Sequence, residues 1–200
     1  MSQLRQADMD TAPVREVRAD VVAAAIEVFR EKGYERATVR EIAERAGLGT
    51  SSLYFHVRSK EQLALAAVRP VVEEGAAWLE ELVASDQPPE EKLRAAIVRA
   101  VELYERHPAV TLYLSDFYPV VDRLLPEAGE RAKAAWAELV RQVLAAGGAP
   151  VDERRARLLS FAVLGMASWM HRWFRPDGPV GATELGHLYA DLVLDGLRPR

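Results

Sequence analysis

Residues 38–57 constrain the fold of this chain more than any other stretch. Thr38-Val39-Arg40-Glu41 is a capping box, in which the Thr hydroxyl serves the N3 amide and the N3 Glu reaches back to the cap. It opens a short segment whose apolar residues, Ile42, Ala43 and Ala46, recur at helical spacing. Gly47-Leu48-Gly49 interrupts that segment, and a second short helix is expected over 50–57. Ser59-Lys60-Glu61-Gln62 is another capping box and launches a long helix to about residue 84. Two short helices joined by so brief a glycine turn must cross steeply, with Ile42, Ala43, Ala46, Leu48 and Leu53 as their small shared core. The faces left outside carry Arg40, Thr50, Ser51, Ser52, Tyr54 and His56. Small hydroxyls among them let a helix approach base edges closely in a major groove.

The rest of the chain keeps helical periodicity, without sustained alternation of β-branched residues. The expected class is all-α, with about nine helices. A first helix is expected over 14–32, ended by Gly33, and further helices over 90–107, 109–116 and 127–146. The proline-punctuated stretch before Pro126 reads as irregular. Asp152 caps a helix expected to run to residue 174, and Thr183 caps a last one ending near 197. The domain reading is a disordered arm over 1–13, a helix-turn-helix head over 14–60 and a helical body over 61–200.

Charge supports this division. The net charge of −4 looks unfavourable for a nucleic-acid partner. Residues 15–60, however, carry nine basic and seven acidic side chains, a balance of +2, while residues 61–200 carry sixteen and twenty-one, a balance of −5. A mildly basic head therefore precedes an acidic body. The chain has no cysteine, which excludes disulfides, thiolate metal sites and cysteine nucleophiles, and suits a reducing cytoplasm. No apolar run approaches the ~20 residues of a membrane span. An enzyme reading finds little support. His56, His107, His171 and His187 are far apart, without the spacing of a metal pair. Glu73-Glu74, Glu80-Glu81 and Glu90-Glu91 are neighbours that diverge on a helix. Gly47-Leu48-Gly49 lacks the third glycine of a dinucleotide loop. Neither a catalytic nor a metal site is expected.

The continuous stretch from Ala37 to Leu63, with Ala25, Phe29, Gly33 and Tyr34 before it, resembles the signature of the TetR (tetracycline repressor-like) family over roughly residues 17–65. The resemblance implies a ligand-responsive transcriptional repressor. It implies that Arg40 contacts a base or phosphate, and that Thr50, Ser51 and Ser52 face the groove. Tyr54, His56, Lys60 and Thr38 are implied phosphate ligands, which position rather than specify. It also implies a homodimer on a palindromic double-stranded DNA operator, with half-sites about one helical turn, ~34–36 Å, apart.

The body would then hold the effector site and dimer interface. Leu158, Phe161, Ala162 and Gly165 on one helix, and Leu185, Leu188, Tyr189 and Leu192 on the last, are the expected interface. Tyr104, Tyr113, Phe117, Trp136, Met166, Trp169, Met170 and Trp173 are the expected lining of an apolar effector pocket, together with Trp78 and Tyr118. Trp169, Trp173, Phe174, Pro176 and Gly178 form a pattern similar to that of a family branch sensing acyl-CoA thioesters. On that reading Arg106, Arg141, Arg172 and Arg175 are candidates to meet the coenzyme's phosphates. No bound cofactor is expected beyond this effector. The alternative is a drug-efflux repressor sensing hydrophobic drugs, and a more distant one is a helical enzyme or binding protein without a DNA role.

Overall fold

The computed structural model describes residues 17–107, 109–110, 118–148, 152–175 and 177–197. Among the described residues there are nine α-helices and no strand. In chain order they are α1 (Ala19–Lys32), α2 (Val39–Arg45), α3 (Thr50–His56), α4 (Lys60–Ala84), α5 (Pro89–Arg106), α6 (Tyr118–Leu124), α7 (Pro126–Ala146), α8 (Glu153–Ser168) and α9 (Ala182–Leu197). A 3₁₀ turn, Trp169–Arg172, continues α8. The chain divides into two compact units, one through Ala67 and one from Val68, so α4 belongs to both.

The first unit is built on α1 to α3 and the start of α4. Val21, Ala25, Val28 and Phe29 on α1 are buried with Ile42 and Ala43 of α2, Leu53 of α3, and Leu63 and Ala64 of α4. Each fully buried Ile or Leu contributes about 1.5–3 kcal/mol, which is how helices of seven residues persist here although too short to be stable alone. Gly33 ends α1 at φ 77°, and Gly47 turns the chain between α2 and α3 at φ 68°, a region that disfavours side chains. The Leu48 amide then donates to the Ala43 carbonyl at 2.8 Å, closing the turn.

In the second unit one apolar cluster joins Leu79 and Leu82 of α4, Leu93 and Ile97 of α5, Leu139 and Leu144 of α7, Val163 of α8 and Leu194 of α9. A smaller cluster holds Val101, Tyr104, Val110, Met170, Ala182 and Leu185. Lys92 is buried, and its ammonium donates to the Val83 carbonyl at 2.9 Å and Gln142 Oε1 at 3.3 Å. It thereby serves one of the carbonyls that the end of α4 leaves unpaired.

Several boundaries differ from the sequence expectation. α1 begins at Ala19, where Asp20 in its first turn holds the Arg18 guanidinium at 2.6 Å. The expected arm over 1–13 and most of the helix expected over 109–116 fall outside the described residues. The stretch before Pro126 forms α6 among the described residues. α8 stops at Ser168 and tightens into the 3₁₀ turn rather than continuing to residue 174. Thr183 does not cap α9; its hydroxyl donates to Glu102 Oε1 at 2.7 Å, one residue inside the helix. No described helix is long and apolar enough to cross a membrane.

Candidate nucleic-acid interface and effector cavity

The first capping box forms as its residues dictate. Thr38 Oγ1 accepts from the Glu41 amide at 3.3 Å, and Glu41 Oε2 accepts from the Thr38 amide at 3.0 Å and from its hydroxyl at 2.9 Å. Lys32 pairs with the same carboxylate. The Lys32 ammonium, and then the Thr38 donors, pull the Glu41 carboxyl down to about 2. Arg45, which reads as a solvated charge in the sequence, ties α2 to α1 through Glu27 at 2.9 Å and Glu31 at 2.8 Å. The start of α2 is thus fixed before any ligand arrives.

On α3, Leu53 is buried, Thr50 is half-buried, and Ser51, Ser52 and Tyr54 are exposed. Arg40 is exposed at the start of α2, with its Nε 2.9 Å from Glu44 Oε1, and the hydrogen bond to that carboxylate raises its already high pKa. Arg40, Ser51, Ser52 and Tyr54 are therefore all available to a partner on the surface of this unit. The side chain of His56 lies outside the described residues. Phe55, which sequence reasoning passed over, is 79% exposed. Its signal was present: it is the one large apolar residue of α3 off the Leu53 face.

Lys60 is engaged within the protein itself. The family signature implies a phosphate ligand, yet its ammonium donates to three carbonyls, those of Tyr34 at 2.8 Å, Glu35 at 3.1 Å and Ala37 at 3.1 Å. It also sits 4.5 Å from the centroid of the Tyr34 ring, a favourable cation–π placement. An ammonium has three protons, and all three are engaged. Lys60 therefore fastens the loop between α1 and α2 to the first turn of α4. In the second capping box only half the pattern holds: Ser59 Oγ accepts from the Gln62 amide at 3.1 Å, but the Gln62 carboxamide accepts from the amide of Arg58, one residue before the cap.

The second unit contains an apolar cavity of about 280 Å³ walled by α4, α5, α7 and α8. Tyr104 and Trp136 line it as expected, as does Trp78. The Tyr104 hydroxyl is directed to the carbonyls of Ala167 and Ser168, at 2.8 and 3.0 Å, and so also holds the end of α8. Phe161 and Gly165, assigned to the dimer face, line the cavity as well. Arg99 and Lys133, which the sequence did not single out, are its charged lining among the described residues. The Arg99 guanidinium lies 4.2 Å from the centroid of the Trp78 ring. Lys133 is paired with Asp122 at 2.8 Å and Glu130 at 2.9 Å. A second cleft of about 330 Å³ shares Val71, Gly75, Arg99 and Leu103 with the cavity, and Glu74, Glu102, Arg106 and His107 border it.

Other expected pocket residues lie elsewhere. Met170 is fully buried in the smaller apolar cluster, Met166 is half-buried off the cavity, and Trp169 and Trp173 are exposed. Arg141 pairs with Glu138 at 2.5 Å, and Arg172 lies 5.5 Å from the Trp169 ring; neither borders the cavity, nor does the exposed Arg175. Arg106 borders only the adjoining cleft, 3.2 Å from Glu102. For Trp169, Met170, Arg172, Trp173 and Arg175 the reason is the end of α8: once the chain tightens after Ser168, the positions beyond it no longer continue the cavity-facing row. Tyr113 and Phe117, and the side chain of Tyr118, lie outside the described residues.

On the outer surface, Leu158 and Phe161 of α8 and Leu188 and Leu192 of α9 are exposed, with Ala162 and Gly165 beside them. Leu185 is not part of this face. It points inward to the smaller cluster, and Tyr189 is half-buried against both clusters. No group of three acidic or histidine side chains is placed to hold a metal among the described residues.

Residues 21–67 match the family described as bacterial regulatory proteins, tetR family, and residues 86–197 match the tetracyclin repressor-like C-terminal domain. The HTH-type transcriptional repressor KstR2 of Mycolicibacterium smegmatis is 29% identical over 192 residues, 90% of each chain. The crystal structure of the regulator PfmR from Thermus thermophilus is 30% identical, with a TM-score of 0.75 over 90% of this chain and 99% of that one. A structure of AibR in complex with isovaleryl coenzyme A and operator DNA is 25% identical, with a TM-score of 0.64 over 90% and 96%. The two family matches cover the reading head and the cavity-bearing body in turn, and the chain belongs to the tetR family of DNA-binding transcriptional regulators.

Proposed function

We propose that this chain is a cytoplasmic repressor that leaves a palindromic operator when an acyl-CoA thioester enters its apolar cavity. Regulators of this family bind operator DNA as dimers and answer to small-molecule effectors. The proposal assigns Arg40, Thr50, Ser51 and Ser52 to the groove, and Tyr54, His56 and Thr38 to phosphates. The thioester rests on the cavity itself. It is apolar, at the small end of ligand-pocket volumes, and among the described residues its charged lining is Arg99 and Lys133, the lysine being paired with Asp122 and Glu130. A short acyl group fits the apolar part. Arg99, where the cavity meets a cleft bordered by Arg106 and His107 but also by Glu74 and Glu102, is the cation offered to an anionic remainder. The AibR complex shows a relative with isovaleryl coenzyme A. No carboxylate lines the cavity itself among the described residues; Glu74 and Glu102 border only the adjoining cleft.

Release follows from differential affinity: the thioester must bind the DNA-incompetent arrangement better than the competent one. The test is a titration of the operator complex with acyl-CoAs of increasing chain length, free acids and cationic dyes. A thioester is expected to release the DNA at concentrations at least about tenfold below the matching free acid. Gly75→Leu supplies the control, since a Cβ at Gly75 meets nothing within 4 Å and the position borders the cavity. That variant should keep its operator and ignore the thioester. Release by dyes alone would replace the thioester reading with a drug-sensing one.

A further inference from the structure

We infer that Phe55 reads a thymine, through contact of its ring with the C5-methyl group in the major groove. The inference rests on α3 being the helix that enters the groove, and it adds an apolar reader to a face otherwise polar.

A single exposed phenylalanine is ordinary on a protein surface, so exposure alone carries nothing. Position is what distinguishes Phe55. Successive helical residues turn by about 100°, which puts Phe55 about 160° from Leu53. Leu53 is completely buried and fixes which side of α3 faces inward. Phe55 therefore projects from the opposite side. On the same count it lies between Ser51 and Ser52, about 40° from one and 60° from the other. Both serines are exposed. Tyr54, at 54% exposure, lies nearer the flank, about 100° from Leu53. The outermost ridge of α3 is thus Ser51, Ser52 and Phe55, with the tyrosine beside it.

Chemistry then selects what Phe55 meets. A phenyl ring offers no hydrogen bond to a phosphate or to a polar base edge, and burying a polar base atom against it carries a penalty. The thymine methyl is the one apolar group in the major groove, and apolar side chains recognise it. The serines at the same ridge are short, so the longer ring reaches a base edge about 6 Å further along the helix axis than Ser51 does.

The experiment starts with selection of operator duplexes from a random library by the wild-type protein. Each thymine of the selected half-site is then replaced by deoxyuridine, which removes only the C5-methyl. One position per half-site is expected to weaken wild-type binding about fourfold, the value of one buried methyl group. Phe55→Ala should bind the thymine and uracil duplexes equally and lose the preference for thymine at that position in selection. Equal thermal melting of the two proteins confirms that the surface change leaves the fold intact. Uracil sensitivity that persists at every position in Phe55→Ala, or a loss that is the same for all sequences, overturns the inference while leaving the placement of α3 intact. Failure of the wild-type protein to select any sequence overturns that placement as well.

Discussion

Lys60 shows how one residue can carry the right address and a different job. Its place beside a capping box and within the family signature marks it in the sequence, but the three carbonyls it holds come from residues 34, 35 and 37, which no spacing rule connects to it. Glu41 and Thr38 were legible because their partners lie three residues apart; Arg45 was not, because Glu27 and Glu31 belong to another helix. The two readings of Lys60 separate in a salt titration. Each phosphate contact contributes about 0.9 to the slope of log affinity against log salt. Lys60→Met is expected to lower the melting temperature and weaken operator binding while leaving that slope unchanged. A phosphate ligand in each protomer would instead cost the slope about 1.8. Tyr54→Phe is the comparison: a neutral hydroxyl releases no counterion, so the slope should stay the same, and operator binding should weaken only if that exposed hydroxyl holds a phosphate.

At the scale of elements, helix identity was readable wherever a local signal ended the helix: Gly33 after α1, the prolines before α5, Gly147 after α7. Where tertiary contact set the end, it was not. α8 closes at Ser168, where the hydroxyl of Tyr104, more than sixty residues earlier, meets its last carbonyls. α6 is hidden in the sequence because its prolines read as a break, although Pro126 begins the next helix. The tightest packing was equally invisible. Gly186 on α9 lies against α5 so closely that a Cβ would stand 2.9 Å from Val98 Cα and 3.3 Å from its carbonyl oxygen. Those are backbone atoms and cannot rotate away. Glycine inside a helix ordinarily costs about 0.5–1 kcal/mol relative to alanine, so alanine at an uncrowded position would stabilise. Gly186→Ala is expected to do the reverse, destabilising the second unit by about 1–3 kcal/mol through overpacking. Thermal and urea unfolding measure the difference, and a raised melting temperature would show that α5 and α9 do not approach this closely.

The whole molecule poses a question of which apolar surface belongs outside. A helix that is apolar on two sides gives a stripe but not its direction, which is why Leu185 reads as interface in the sequence and lies in the core of the structure. Leu188 and Leu192, three and seven residues further on, stand 56% and 65% exposed, and Leu158 and Phe161 on α8 stand 57% and 48% exposed. Four large apolar side chains exposed on two helices are candidates for a covered face. On the proposed reading, dimerisation would cover them. Phe161 and Gly165 also border the apolar cavity, so the same short segment of α8 would serve both the outer face and the proposed effector. Replacing Leu188 and Leu192 together by Asp places charge on the exposed face without touching the buried Leu185 or Leu194. The helical circular dichroism should stay, while sedimentation velocity should report a monomer. Operator affinity should then fall by at least about a hundredfold, because a second half-site bound by a tethered partner acts through effective concentration and a lone head loses it. If the double variant sediments as a dimer, the interface lies on another face. If it is monomeric yet holds the operator as tightly as before, each head reads its site alone, and the two-fold symmetry expected of the operator has no role in affinity.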